Sequence, residues 1–143
     1  MSIHSISIRA DYFLGLATLS KQGHHGIIVA GEIPLLRVLL KMALEDSGCD
    51  VVGEADNGQK LLVMCQSQNP AVVVIDLDIP EMDMVRLVES ILDIDPIIAV
   101  VVLSEPIGNI GETVLAAGAR AYLQKPFSMY DMTHLVKKVR PVF

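Results

Sequence analysis

Three side chains of the types that handle phosphoryl groups follow three separate apolar runs of this 143-residue chain. Asp76 ends the run Val-Val-Val-Ile, Ser104 ends the run Val-Val-Val-Leu, and Lys125 follows Ala-Tyr-Leu-Gln. A carboxylate can act as a covalent nucleophile, while a transferred phosphoryl group also needs a cation and donors for its oxygens. The three residues therefore predict phosphoryl transfer to Asp76, with Lys125 as the cation and Ser104 as a donor.

A second carboxylate, Glu32, follows the first apolar run. Mg²⁺ prefers hard oxygen ligands from one or two carboxylates, completed by water and phosphate oxygens. Glu32 and Asp76 are thus candidate Mg²⁺ ligands. Simpler interpretations stay open: Glu32 as a solvated residue favoured by a helix dipole, Asp76 as a helix cap or turn residue, and Ser104 as a loop hydroxyl.

The elements that must position these side chains follow an alternating pattern of strands and helices. Three of the predicted strands are continuously apolar, which is typical of parallel strands covered on both faces. Such alternation predicts an α/β fold, in which ligands bind at the carboxyl ends of the strands. The five predicted strands are residues 26–30, 50–54, 71–75, 97–103 and 120–123.

The predicted helices carry apolar residues at a spacing of three and four. The first contains Leu36, Leu39, Leu40 and Ala43 and ends near Gly48. The last begins at the capping residue Ser128, three before Asp131, and stops at Pro141. The other three are predicted over residues 58–67, 83–92 and 109–117.

Composition narrows the classes of function. A net charge of −6 leaves no broad basic surface for nucleic-acid phosphates, so direct DNA binding is not expected. The longest apolar stretches are shorter than a bilayer span, and the apolar run at residues 12–19 lacks a basic leader. With two cysteines and no disulfide framework, the chain is predicted to be cytoplasmic, without membrane contact.

Residues 1–25 lie outside the alternating pattern. We interpret them as a flexible or loosely docked N-terminal extension, with a dedicated partner-binding element as the alternative. Residues 26–143 form the predicted single domain. Because only Val142 and Phe143 follow Pro141, the output is expected to pass through a separate effector protein.

Residues 26–140 resemble the receiver domain of two-component response regulators. The resemblance rests on Asp76 with Pro80 four residues later, on Ser104, on Ala-Gly-Ala-Arg-Ala-Tyr-Leu-Gln-Lys-Pro-Phe at 117–127 and on Val-Val-Gly-Glu-Ala-Asp-Asn-Gly at 51–58. It implies a flavodoxin-like, doubly wound sheet of five parallel strands in the order 2-1-3-4-5, with five helices.

The resemblance also implies functional roles. Asp76 would accept a phosphoryl group from a histidine kinase or phosphotransfer protein in a Mg²⁺-dependent reaction, with the backbone carbonyl of Asp78 as a further metal ligand. Ser104 and an inward-rotating Tyr122 would form the switch, although Tyr122 could also be an ordinary strand aromatic. The Lys125–Pro126 peptide would be cis. Such a protein is a self-dephosphorylating switch rather than a turnover enzyme, and homodimers can form through its fourth and fifth helices.

Four positions depart from the family pattern. Gly31 stands where most members have an acid that helps to hold the metal, so Mg²⁺ affinity should fall by about 10 to 100-fold. Glu32 replaces the usual shorter Asp, Glu105 adds bulk and charge beside Ser104, and Met84 replaces a common glycine. Gly31, Glu105 and Met84 motivate a second hypothesis, a phosphorylation-independent module that binds proteins through its last helix and the sheet edge. The first hypothesis is favoured, because Asp76, Ser104 and Lys125 are all retained. A flavodoxin-like cofactor binder is disfavoured, since no Gly-rich phosphate loop or aromatic clamp is present.

Overall fold

The computed structural model describes residues 6–8 and 24–141 of the chain. Its strands are β1 (Ile6–Ile8), β2 (Ile27–Gly31), β3 (Val51–Ala55), β4 (Val72–Asp76), β5 (Ala99–Ser104) and β6 (Ala121–Gln124). Its helices are α1 (Pro34–Asp46), α2 (Gly58–Gln68), α3 (Glu81–Ile94), α4 (Ile110–Ala117) and α5 (Met129–Val139). Strands β2 to β6 begin and end within two residues of the predicted ranges.

The strands form one sheet in the order β1-β6-β5-β4-β2-β3. Strands β2 to β6 are parallel, and their order is the predicted 2-1-3-4-5, so the doubly wound fold is confirmed. The structure has one strand that was not predicted: β1 pairs antiparallel with β6 and places Ser7 opposite Tyr122. Three residues of the N-terminal extension thus extend the sheet, while residues 1–5 and 9–23 of that prediction lie outside the described residues.

Helices cover both faces of the sheet, as the continuously apolar strands predict. Along β4, Val72 and Val74 belong to a core that includes residues of α1 and α5. Val73 and Ile75 belong to a second core that includes residues of α2, α3 and α4. The sheet therefore separates two aliphatic cores, each built from alternate residues of the same strands.

Local interactions fix the ends of the elements. The Ser128 side chain accepts a hydrogen bond from the backbone N–H of Asp131 at 3.0 Å, which starts α5 where the sequence predicts. At the edge opposite the strands' carboxyl ends, His24 is 2% exposed and bonds to the Asp95 carboxylate. No helix in residues 24–141 has the length and apolar character needed to cross a bilayer.

Candidate functional site

Asp76 and Lys125 form an ion pair at the carboxyl edge of the sheet. The Lys125 Nζ lies 2.5 Å from Asp76 Oδ1. The Asp76 side chain is 10% exposed and that of Lys125 28% exposed, so the carboxylate is mostly enclosed but still open to a small reactant. Together with Ser104 they line a cavity of 580 Å³.

The sheet register brings these residues to one edge. Asp76 is the last residue of β4 and pairs with Gly31 of β2, while Ser104 ends β5 and pairs with Gln124, the residue before Lys125. The Lys125 N–H donates to the Ser104 carbonyl at 2.9 Å. The Lys125–Pro126 peptide is cis, as the resemblance implies.

Ser104 and Tyr122 meet beside this cavity. The Ser104 hydroxyl donates to the Glu105 carbonyl at 2.6 Å and lies 3.4 Å from the Tyr122 hydroxyl. The Tyr122 hydroxyl is also 3.5 Å from the carbonyls of both Ser104 and Glu105. Because Tyr122 is only 5% exposed, its ring already occupies the inward position. The hydroxyl of Ser104 is held by its own loop rather than by Asp76.

Gly111 of α4 makes room for the Tyr122 ring, a role that the sequence analysis missed. A Cβ at Gly111 would lie 2.8 Å from Tyr122 Cδ2 and 2.9 Å from Cε2, closer than packed carbon atoms tolerate. A glycine inside a helical pattern is unfavourable by itself, which usually indicates a packing reason. That signal was present in the sequence, but it does not say which side chain fills the space.

Glu32 reaches across the edge to the loop after β4. Its Oε1 accepts a hydrogen bond from the backbone N–H of Asp78 at 2.7 Å. Both Glu32 and Asp78 line the cavity that contains Asp76, and both are exposed. The longer glutamate thus spans from the end of β2 to the β4–α3 loop.

Arg37 and Glu54 support the turn after β2, and neither was singled out from the sequence. The Arg37 Nη1 donates to the Gly31 carbonyl at 2.6 Å, and its Nε donates to Glu54 Oε1 at 3.1 Å. Lys41 donates to the other Glu54 oxygen at 3.2 Å. Burial raises the pKa of Glu54, but its hydrogen bonds and charge contacts with Lys41 and Arg37 outweigh burial, and the net pKa is lowered.

The family model of the response regulator receiver domain matches residues 27–137. The chain belongs to this family. This receiver domain is thus a signalling domain of the two-component type rather than a classical enzyme.

Curated relatives support the same assignment. The transcriptional regulatory protein PdtaR of Mycobacterium tuberculosis is 32% identical over 74% of this chain. The chain covers 52% of PdtaR, about half of that protein's length. The chemotaxis protein CheY of Thermotoga maritima is 28% identical over 79% of the chain, which covers 95% of that relative.

Solved structures share the fold. The signal receiver domain of the response regulator NarL from Mycobacterium tuberculosis has a TM-score of 0.72 and 26% identity, covering 80% of this chain and 94% of that one. The chemotaxis protein CheY4 of Vibrio cholerae has a TM-score of 0.70 at 19% identity, with 82% of this chain and 99% of that one covered. The second likeness concerns the fold alone.

Two residues that depart from the family pattern have a defined place in this receiver domain. Met84 is fully buried in the core formed with α2, α3 and α4, and its N–H donates to the Pro80 carbonyl at 3.0 Å, so α3 starts directly after Pro80. Glu105 is exposed at the mouth of the cavity, while its backbone carbonyl accepts the Ser104 hydroxyl. The glutamate adds negative charge to the rim.

The carboxylate oxygens at this cavity are of the type that Mg²⁺ prefers, but few of them are grouped closely enough to bind one ion. Five acidic residues line the cavity, namely Glu32, Asp76, Asp78, Glu81 and Glu105. Mg²⁺ takes one or two carboxylates from a protein when phosphate and water complete its ligands, and Glu32 and Asp76 are the candidates for that pair. In the described part of the chain, no three acidic, histidine or cysteine side chains are grouped to hold a metal ion. Any Mg²⁺ here would therefore depend on backbone, water and phosphoryl oxygens for most of its ligands.

Proposed function

We propose that this receiver domain accepts a phosphoryl group on Asp76 from a phosphohistidine of a kinase or phosphotransfer protein, and that the acyl phosphate changes its contacts with other proteins. The observation that carries the proposal is the mostly enclosed Asp76 carboxylate, 2.5 Å from Lys125. A nucleophilic carboxylate beside a fixed cation is what phosphoryl transfer requires.

The reaction follows from this arrangement. A carboxylate oxygen of Asp76 attacks phosphorus, the phosphorus–nitrogen bond breaks, and the departing imidazole nitrogen keeps the electron pair and takes a proton from solvent. Lys125, already paired with Asp76, forms a charge-assisted bond to a phosphoryl oxygen. Glu32, Asp76 and the Asp78 carbonyl would hold Mg²⁺, and the ion would supply further neutralisation of negative charge.

Ser104 and Tyr122 would convert the modification into a surface change. Ser104 must leave the Glu105 carbonyl, 2.6 Å away, to donate to a phosphoryl oxygen. Because Tyr122 shares that carbonyl and lies 3.4 Å from Ser104, the rearranged loop changes the environment of the Tyr122 hydroxyl. The change then reaches α4, which packs on the Tyr122 ring at Gly111.

The phosphodonor would dock on α1. Leu35 is 67% exposed and Met42 53% exposed, and Leu36 of the same helix lines the cavity with Asp76. An exposed apolar helix face marks a protein-contact site, and it fits an apolar helix of the partner. The other large apolar side chains exposed on or next to α1 are Ile33, Val38 and Leu39.

The net charge of −6 supports protein partners rather than DNA phosphates as the target of the output. We place the reaction in the cytoplasm, in keeping with buried, free Cys49 and Cys65.

Incubation with a small phosphoramidate donor and Mg²⁺, followed by intact-protein mass spectrometry, tests the proposal. We expect one phosphoryl adduct that Asp76→Asn abolishes and Asp78→Asn retains. Absence of the adduct, or its persistence in Asp76→Asn, contradicts phosphoryl transfer to Asp76.

A second candidate is a phosphorylation-independent binding module. Gly31 in place of an acid, and the Glu105 carboxylate at the rim of the cavity, favour it because both weaken an Mg²⁺-assisted reaction with an anion. An absent adduct on the unmodified chain, with binding to a partner that Asp76→Asn leaves unchanged, supports this second candidate.

A further inference from the structure

Glu32 joins the end of β2 to the loop that follows Asp76. Its Oε1 accepts a hydrogen bond from the backbone N–H of Asp78 at 2.7 Å. Residues 77–80 belong to neither a strand nor a helix, so the N–H groups of this loop have no regular backbone ladder to supply their acceptors. A hydrogen bond to an ionised carboxylate is stronger than one to a neutral acceptor. The Glu32 side chain therefore ties this loop to the end of β2.

We propose that Glu32 is a positioning residue, whose bond to the Asp78 N–H tethers the loop of residues 77–80 and orients the Glu32 carboxylate for Mg²⁺. The inference rests on the proposed function, because it assigns how this chain brings together the metal ligands of that reaction. The tether consists of protein groups alone, so it orders the loop before the ion binds.

The length of the Glu32 side chain makes this contact possible. An aspartate at the same position is shorter by one carbon–carbon bond, about 1.5 Å. The contact of 2.7 Å would then lengthen to roughly 4 Å, which is beyond hydrogen-bond distance. The glutamate that replaces the usual aspartate of the family thus gains a contact that the shorter residue could not make.

The turn that carries Glu32 is itself fixed. Gly31, the residue before it, pairs with Asp76 across β2 and β4. The Gly31 carbonyl accepts from Arg37 Nη1 at 2.6 Å, and Arg37 is in turn paired with Glu54. Glu32 therefore extends from a rigid base beside Asp76, and its bond to Asp78 restrains the loop rather than the turn.

The tether connects two of the proposed metal ligands, the Glu32 carboxylate and the Asp78 residue whose carbonyl is the third ligand. Carboxylates that bind metal ions usually accept hydrogen bonds from neighbouring groups, which fix their orientation, and loss of such a partner typically lowers metal affinity by about 10 to 100-fold. Only Oε1 of Glu32 is engaged by the Asp78 N–H, so Oε2 stays available for the ion. Since Gly31 contributes no carboxylate, the orientation of Glu32 matters more in this chain.

Two substitutions of Glu32 in the full chain separate the tether from the charge. Glu32→Asp keeps the negative charge and loses the reach, whereas Glu32→Gln loses the charge and keeps an oxygen acceptor at the same distance. Glu45→Asp is the matched control, because it shortens an exposed glutamate of α1. Water exchange and proton chemical shift of the Asp78 amide are measured by NMR without metal, and Mg²⁺ affinity by isothermal titration calorimetry.

We expect exchange of the Asp78 amide to rise roughly fivefold or more in Glu32→Asp, with an upfield shift of its proton, because the hydrogen bond is lost. In Glu32→Gln the exchange should stay within about twofold of the unmodified chain, since the acceptor is kept. Mg²⁺ affinity should fall by about tenfold or more in both variants, and neither quantity should change in Glu45→Asp.

Unchanged exchange of the Asp78 amide in Glu32→Asp overturns the tether. Faster exchange with an Mg²⁺ affinity equal to or above that of the unmodified chain overturns the orienting role. Failure of the unmodified chain to bind Mg²⁺ overturns the orienting role together with the metal part of the proposed function. The metal-free exchange distinguishes that failure from loss of the tether, and the phosphoryl adduct is measured separately.

Discussion

The hydroxyl groups of Ser104 and Tyr122 lie 3.4 Å apart and share one acceptor, the Glu105 carbonyl. Ser104 belongs to β5 and Tyr122 to the neighbouring β6, so the contact links the loop at the proposed phosphoryl site to the strand that α4 packs against. A change in the position of either hydroxyl therefore alters the hydrogen bonds of the other. The first two predictions concern this link.

Tyr122→Phe removes the hydroxyl and leaves the ring in place. We expect the free energy of unfolding in urea to fall by about 0.5–1.5 kcal/mol, the net contribution of a typical hydrogen bond. Tyr130→Phe is the matched control, since Tyr130 is 73% exposed, and its effect should stay within about 0.5 kcal/mol. Equal losses in the two variants would show that the shared acceptor contributes nothing to stability.

Gly111→Ala places a methyl group against the Tyr122 ring, where the nearest atom would be 2.8 Å away. Overpacking of this kind costs about 1–3 kcal/mol, reduced by the gain in helix propensity of about 1 kcal/mol. We expect net destabilisation in urea and a smaller loss in a Tyr122→Leu background, because a shorter side chain frees the space. A loss of the same size in both backgrounds would place the strain elsewhere.

Lys125→Ala removes the cation paired with Asp76. We expect a folded protein in which the phosphoryl adduct no longer changes hydrogen exchange in the loop of residues 105–109, since the charge-assisted bond is lost. The same measurement on Lys138→Ala, an exposed residue of α5, should show the full change. A normal exchange response in Lys125→Ala would contradict a role for its ammonium group in the switch.

Gly31→Asp restores an acid beside Glu32. The added Cβ would come no closer than 3.4 Å to Arg37 Cβ, so the fold should accept it. We expect Mg²⁺ affinity, measured by isothermal titration calorimetry, to rise by about 10 to 100-fold, whereas the neutral Gly31→Asn should change it little. Equal Mg²⁺ affinities of Gly31→Asp and Gly31→Asn would show that a carboxylate at position 31 does not strengthen Mg²⁺ binding.

Glu54 links stability to pH through its contacts with Arg37 and Lys41. Its folded-state pKa is lowered from an ordinary value of 4.5, so its stabilising effect is complete above that value and is lost as the pH falls through the folded-state pKa. We expect Glu54→Gln to lower the urea midpoint near neutral pH and the difference from the unmodified chain to shrink below pH 4.5.

The control for this comparison is Glu45→Gln, an exposed substitution on α1, which should leave the pH profile of the urea midpoint unchanged. A gap between Glu54→Gln and the unmodified chain that stays constant with pH would assign the effect to packing rather than to charge.

Particular residues show what the sequence could and could not predict. The strand that ends at Asp76 was predictable because its aliphatic run stops abruptly, and α5 was predictable from Ser128 and its apolar spacing. The pairing of Ser7 with Tyr122 was not, because a short Ile-Ser-Ile segment gives too weak a periodic signal.

The contacts of Gly31 and Glu32 depend on backbone groups, which residue types do not reveal. Arg37 bonds to the Gly31 carbonyl, and Glu32 accepts from the Asp78 N–H. Both partners are backbone groups, which a sequence motif does not identify. This local arrangement could therefore be seen only in the structure. The same holds for the loop carbonyl that holds Ser104.

The sheet divides the interior into two separate compartments. Tyr122 and Val114 lie in one of them, and Leu135 and Leu44 lie in the other. Substitutions that repack the second compartment can therefore raise or lower heat tolerance without touching the tyrosine side. Thermal stability and signal response can therefore be engineered separately in this protein, by substitutions on opposite faces of the sheet.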